Sequence, residues 1–320
     1  MNPSLPRLVT LTPAPSWDIT YSLNTLEPGV VHRAQSTSRE FAGKGVNVSK
    51  ALALAGIAAP AVVPLSHSDQ ASVSVEVALV PVLIEGQLRT NVTVVETGGR
   101  TTKINQAASP LSAVEWSALA KKTAELGLLA EESWVLVSGT IPTSGEALES
   151  RLVELIDTLG PTHRVAVDTS GEALNALARS GRVDLIKPNV SELSGCVGRA
   201  LLTLGDVVDA AKEVLAWGVS TVLVSLGEQG FLGVQADEVV WAESERVAVV
   251  NTIGAGDASV AGFFHAVLSG RYSLADSVAS AAAWGALKVT QPGSQLETLQ
   301  PLPRVSVRAD IDADQPVSSD

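Results

Sequence analysis

The sequence predicts an α/β protein: a mainly parallel sheet covered by helices on both faces, with a small second sheet acting as a lid. Three observations predict it. Short β-branched runs alternate with alanine- and leucine-rich stretches along most of the chain, as strand–helix–strand units require. Residues 228–250, "EQGFLGVQADEVVWAESERVAVV", read instead as short strands joined by turns, an antiparallel edge on the parallel sheet. Two further strand-like segments, 18–40 and 86–106, interrupt the pattern and can pair into a separate sheet.

The core strands are expected in "RLVTLT", "WVLVSG", "RVAVDT", "VDLIKP" and "TVLVSL". In the lid, residues 86–106 form a hairpin candidate turning at Gly98 and Gly99. A glycine pair in "EFAGKGVNVSKALALAG", residues 40–56, opens a helix that runs to Gly56. Leu148, Leu152, Leu155, Ile156 and Leu159 stand at helical spacing, as do Val207, Ala211, Val214 and Leu215, so both sets are core faces. "RVAVV", residues 246–250, reads as a strand, followed by a helix whose apolar face is Val260, Phe263, Phe264, Val267 and Leu268 and which ends at Gly270. From 292 the chain is proline-rich, polar and acidic; residues 1–305 are expected as one domain and 306–320 as a mobile tail.

Composition narrows the function classes. At 46% hydrophobic content over 320 residues a large core is available. No uncharged apolar run reaches membrane-spanning length and the N-terminus lacks secretory-signal features, so a cytoplasmic protein is expected. Lys and Arg number 22 against 34 Asp and Glu, a net charge of −12 with no basic block, which argues against nucleic-acid or acidic-membrane partners. An anionic ligand must then be held by local features. The lone Cys196 cannot form an internal disulfide, and the four histidines make no metal-ligand pattern.

The chemistry concentrates in glycine turns. In "NTIGAGDASVAGFF", Gly254, Ala255 and Gly256 sit at a helix N-terminus, where free N–H groups and the helix dipole favour an anion and small residues let a phosphate approach. Asp257 would repel a bound phosphate, but makes sense as a base taking the proton of a hydroxyl that attacks it. An isolated "GAGD" would be read as a capped helix start. In "AGKGVN", Lys44 between two glycines supplies a positive charge at a second helix start, although a solvated loop lysine is the commoner case. In "LIKPNVSEL", at the C-terminal end of a strand, Asn189 and Glu192 face one point and suit a hydrated Mg²⁺, or else a helix cap. "VSLGEQG" and "VSGTIP" add two strand-to-glycine turns on the same sheet edge. Neither a Walker loop nor a first-turn G-x-G-x-x-G is present.

Taken in order, "AGKGVNVSKALALAG", "VSGTIP", "KPNVSEL", "VSLGEQG" and "NTIGAGDASVAGFF" resemble the ribokinase-like, phosphofructokinase-B type carbohydrate kinases, in the hexose-phosphate branch. The resemblance spans roughly residues 8–290. It implies a three-layer α/β/α core with a β-sheet lid, ATP as phosphoryl donor and Mg²⁺ as the required ion. It implies that Asp257 is the catalytic base, that Gly254, Ala255 and Gly256 form an anion hole, and that Thr252 lies along the donor phosphates. Asn189 and Glu192 would order the Mg²⁺ water shell, Lys187 would lie near the nucleotide phosphates, and Ser225, Gly227 and Gly230 would line the nucleotide side. Asp18, Gly43, Asn47 and Ser138 would hold the sugar; Lys44 and Arg89, joined by Lys103 and Asn105, would meet its phosphate.

The implied reaction converts fructose 1-phosphate to fructose 1,6-bisphosphate, with tagatose 6-phosphate or fructose 6-phosphate as rival acceptors. A non-catalytic sensor on the same fold is the alternative of another class. Pairing of lid strands would permit a homodimer. Two departures touch the sugar side: "TPAPSWD" stands where the family often has "NPAxD", and no glycine occurs between Gly56 and Gly86, where a glycine-rich turn is usual.

Overall fold

Trp134 and Leu136 point to one side of the central sheet and Val135 and Val137 to the other, each pair into a different apolar core. This alternation runs through the neighbouring strands, and it makes the chain a three-layer sandwich. The computed structural model describes residues 7–74, 77–128, 133–142, 146–270 and 273–318.

In the first half of the chain the elements are β1 (Leu8–Leu11), β2 (Ser16–Leu23), β3 (Ser36–Ala42), α1 (Lys44–Leu54), β4 (Ala61–Leu65), α2 (His67–Ser72), β5 (Leu79–Leu83), β6 (Arg89–Glu96), β7 (Thr101–Asn105), α3 (Ala113–Gly127), β8 (Trp134–Ser138) and α4 (Glu146–Leu159). There follow β9 (Arg164–Asp168), α5 (Gly171–Arg179), β10 (Leu185–Ile186), α6 (Val190–Val197), α7 (Leu204–Ala216), β11 (Thr221–Ser225), β12 (Phe231–Val234), β13 (Val239–Ser244), α8 (Ala255–Leu268), α9 (Leu274–Val289) and β14 (Val305–Arg308). Among the described residues the central sheet has ten strands in the order β14-β13-β12-β11-β10-β9-β8-β1-β4-β5. It is parallel from β5 to β11, while β12, β13 and β14 form the antiparallel edge. Helices α3 to α7 cover one face and α1, α8 and α9 the other.

The expected lid is present as a four-stranded sheet, β3-β2-β6-β7. Strands β6 and β7 are the hairpin that turns at Gly98–Gly99. Register sets Glu40, Asp18, Asn91 and Asn105 in one row across the four strands, so their side chains share a face. The glycine-free stretch after β4 is resolved by a side-chain cap: Ser66 Oγ accepts from Asp69 N at 3.1 Å, starting α2. Asp69 Oδ2 then accepts from Leu88 N at 3.0 Å, which holds the entry to β6 and Arg89.

Two expectations differ from the structure. Residues 246–250 form no strand: β13 stops at Ser244, and Val249 and Val250 are exposed. The reason is that β14 already occupies the hydrogen-bonding edge of β13, from Trp241↔Arg308 to Ser244↔Val305. Where a mobile tail is expected, residues 305–308 instead form β14 and residues 313–317 pack back on the chain. Past β14 this segment remains tied down, with Leu204 N donating to Gln315 O, Gly205 N to Ala313 O and Val317 N to Leu202 O. Its polar composition reflects an outer strand, half wet, rather than disorder.

Helices α8 and α9 pack closely because α8 lacks a side chain where they meet. A Cβ on Gly262 would lie 2.4 Å from Ser280 O and 2.8 Å from the Trp284 ring. That contact fixes the start of α8 against the C-terminal ends of the parallel strands, where open α/β sheets bind their ligands.

Candidate active site

At that sheet edge β9 ends in Asp168, which is 0% exposed. Its Oδ1 accepts from Lys44 Nζ at 3.0 Å, at the start of α1, and from Lys187 Nζ at 3.3 Å, just beyond β10. Burial alone would raise this carboxyl; Lys187 and Lys44 outweigh it and hold Asp168 below the usual carboxylate range. Asp168 in turn raises the Lys44 ammonium, against the opposing effect of burial. Lys44 therefore keeps its charge at this edge of an acidic protein, where an anion needs it.

Asp257 lies in the first turn of α8 and is buried. Its Oδ2 accepts from Asn47 Nδ2 at 2.8 Å, across from α1. Burial, and next the Asp168 charge, push its carboxyl from 3.8 up to about 6, while Lys44, the Asn47 hydrogen bond and Lys187 pull the other way. A carboxylate poised there is ionised at neutral pH yet holds a proton far better than an ordinary aspartate, as a general base must.

The turn before it depends on glycine. Gly254 caps α8 at φ 81°, and a Cβ on it would sit 2.0 Å from Ser294 O. A Cβ on Gly256 would come 3.8 Å from Lys187 Nζ, so the expected anion turn and the expected phosphate lysine stand side by side. Gly43 and Gly45 let α1 approach β1: a Cβ on either would lie 2.6 Å from Thr12 Cγ2 or 2.5 Å from Thr12 Oγ1.

Asn189 and Glu192 form a reciprocal capping box at the start of α6, with Asn189 Oδ1 accepting from Glu192 N and Glu192 Oε2 accepting from Asn189 N. The helix-cap reading of this pair is thus realised, and one oxygen of Glu192 lies outside the box. Asn189 also bridges Ser225, and Ser225 leads into the Gly227–Gln229 turn closed by Gly230. Thr252 lies exposed in the loop before the anion turn.

On the lid, Asp18 Oδ1 accepts from Ser16 Oγ at 2.7 Å and from Asn91 Nδ2 at 3.0 Å. Arg89 stands in register with Ser16, its Nε buried and without a partner; burial lowers the guanidinium and Asp18 opposes this. Lys103 and Asn105 are exposed on the outer strand β7, sharing the face that carries Asp18.

Several buried polar atoms at the strand ends lack partners: Thr12 Oγ1, Asn47 Oδ1, Ser138 Oγ and Asp168 Oδ2. Each such atom costs about 1–3 kcal/mol if nothing engages it. Their convergence at one edge marks a site built to receive a polar ligand.

Sequence reasoning missed Asp168 and Asn91. Asp168 ends an apolar strand at the ligand-binding edge, the position that drew attention to Asn189, so the same rule could have found it. Asn91 carried no signal before the register of β2 and β6 was known.

A sheet edge with glycine-lined helix starts, a buried carboxylate of raised proton affinity and two lysines suits a phosphotransferase acting on an alcohol. Residues 13–300 match the pfkB family carbohydrate kinases. The chain is 34% identical over 272 residues to 1-phosphofructokinase of Rhodobacter capsulatus, covering 82% of this chain and 84% of that one. It is 33% identical over 299 residues to ATP-dependent 6-phosphofructokinase isozyme 2 of Escherichia coli, covering 91% and 94%. Among solved structures, phosphofructokinase-2 of Escherichia coli in complex with potassium superposes with a TM-score of 0.83 at 30% identity, over 91% of this chain and 95% of that chain. The chain belongs to the pfkB family of carbohydrate kinases, with the ribokinase-like fold.

Proposed function

We propose that this sugar kinase transfers the γ-phosphoryl group of ATP to the free primary hydroxyl of a ketohexose monophosphate, fructose 1-phosphate before others. The observation that carries the reading is Asp257: buried beside the anion turn, hydrogen-bonded by Asn47, and raised to about 6. In this reading the sugar hydroxyl gives its proton to Asp257 as its oxygen bonds the γ-phosphorus. The bond to the β–γ bridging oxygen breaks, and ADP leaves with that electron pair. The N–H groups of Gly254, Ala255 and Gly256, with Lys187 beside them, offset charge on the group in transit. Lys44, held by Asp168, would meet the acceptor's own phosphate together with Arg89.

The sugar's hydroxyls would engage Asp18, Asn47, Ser138 and the main chain at Gly43, and its own phosphate would meet Arg89, with Lys103 and Asn105 at the rim. Ser225, Gly227, Gly230 and Thr252 would border the nucleotide. Among the described residues no group of three or more His, Cys, Asp or Glu could cage a metal. This suits Mg²⁺, which keeps several waters and binds through phosphates and one or two carboxylates. Glu192, through its oxygen outside the capping box, and Asn189 would hold that water shell; the ion, when bound, neutralises phosphate charge.

Support for fructose 1-phosphate comes from the name of the Rhodobacter relative, while the 6-phosphofructokinase relative keeps fructose 6-phosphate as the rival. ADP release measured with fructose 1-phosphate, fructose 6-phosphate and tagatose 6-phosphate decides among them by kcat/KM. No turnover with any of the three removes the kinase reading of the site in favour of a sensor. A homodimer through the lid strands is part of the same proposal, checked by sedimentation of the purified chain.

A further inference from the structure

Lys288, in the last turn of α9, is 0% exposed. Its ammonium donates to two main-chain oxygens, of Asn251 and Gln291, each at 3.4 Å. Burying an ammonium on carbonyls rather than on a carboxylate is costly, and chains keep such a group where it does something. Burial lowers its proton affinity, with the charges of Glu297, Glu40 and Asp257 working in the other direction.

What surrounds it is the back of the anion turn. Asn251 opens the turn: its Oδ1 accepts from Ile253 N at 3.0 Å, and its Nδ2 donates to Pro292 O and Gly293 O at 2.8 and 3.1 Å. Gln291 opens the loop that follows α9 and closes it by accepting from Glu297 N at 2.7 Å. Ser294 in that loop presses its carbonyl on Gly254, and its hydroxyl donates to Glu40 Oε2 of lid strand β3 at 2.7 Å. Lys288 Cε lies 3.6 Å from the point a Cβ on Gly254 would occupy. The two main-chain oxygens converging from two loops repel unless a cation sits between them, and carbonyl oxygens are ligands that suit K⁺ or an ammonium.

We propose that Lys288 is a positioning residue that serves as a built-in monovalent cation behind the Gly254–Gly256 turn, so that phosphoryl transfer by this chain needs no free one. The inference rests on reading that turn as the phosphoryl site. The ammonium clamps the Asn251 and Gln291 carbonyls, keeps the N–H groups of the turn facing outward, and links the turn to the loop that holds the lid strand.

The test is steady-state turnover with ATP and the preferred sugar phosphate at constant ionic strength, in choline, sodium, potassium, ammonium, methylammonium and tetramethylammonium chlorides. The wild-type kcat is expected to change less than about twofold between choline and potassium, whereas Lys288→Ala loses about tenfold or more in kcat with the acceptor KM within about threefold. Potassium, ammonium or methylammonium should restore Lys288→Ala saturably, and tetramethylammonium should not. Lys288→Met, which fills the space without charge, should be slow in every salt. A wild-type enzyme that requires potassium overturns the proposal without any variant. So does Lys288→Met with a kcat within about twofold of wild type, or a folded Lys288→Ala that no cation restores. Asp257→Asn separates the two readings. If that variant turns over normally the phosphoryl-site reading fails, whereas an inactive Asp257→Asn beside an unimpaired Lys288→Met sinks this inference alone.

Discussion

Lowering the pH should switch this kinase off through Asp257, at a pH that its neighbours set. With its carboxyl raised to about 6, the base is only about one-tenth ionised at pH 5, while an aspartate of ordinary pKa would be about nine-tenths ionised there. The expected profile of kcat/KM therefore falls about tenfold per pH unit below 6. A sugar phosphate also titrates near pH 6, so the wild-type profile alone does not identify the base. Asp168→Asn does: it removes the negative neighbour that raises Asp257 and frees Lys44 and Lys187, which lower it. Both effects move the acid limb to lower pH, and the ionisation of the substrate does not move with the mutation. Coupled ADP-release assays between pH 4.5 and 8, on wild type and Asp168→Asn, read the shift. A limb that stays in place, or that moves upward, refutes the reasoning.

The same shift has a stability counterpart. A carboxyl raised from 3.8 to about 6 destabilises the native state by about 3 kcal/mol above pH 6, a penalty that fades as pH falls from 6 towards 3.8. Asp257→Asn should therefore raise the unfolding free energy at pH 8 by up to that amount, lose the gain near pH 4, and lower kcat by orders of magnitude; denaturant titrations at the two pH values check it. Gly254→Ala is strained at φ 81° and meets Ser294 O, so it should cost about 1–3 kcal/mol of stability along with turnover, read by thermal unfolding and kcat. Arg89→Ala should raise the KM for the phosphorylated acceptor by about tenfold or more while leaving the KM for ATP near wild type, the loss of a charge-assisted phosphate contact. Removal of residues 305–320 bares the edge of β13 and should lower the melting temperature and promote association, seen by light scattering.

Much of this architecture was written in local pattern. Strand alternation, the helical spacing of Leu148, Leu152 and Leu155, and the antiparallel edge at 231–244 all match the structure, because each depends on neighbours within a few residues. The same holds for the anion turn, whose glycines need only a helix start. Where the reading departed from the structure, the deciding partner was far away in sequence. Residues 246–250 have strand composition, but the adjacent edge of β13 is already held by β14. Residues 305–317 look like a tail until β13 and the start of α7 are seen to bind them.

The sequence by itself determined the α/β class, the lid segments and the pfkB resemblance, and it singled out Asp257 as the base to propose, since these rest on periodicity and short motifs. Tertiary structure alone decided that Asp168 neutralises and positions Lys44 and Lys187, that Asn91 orients Asp18, and that Lys288 is buried beneath the anion turn. Proton affinity belongs with the second group. Asp257 reaches about 6 because burial and a charge 89 positions earlier in the chain act on it through space, and electrostatics follows distance in the fold rather than separation along the chain.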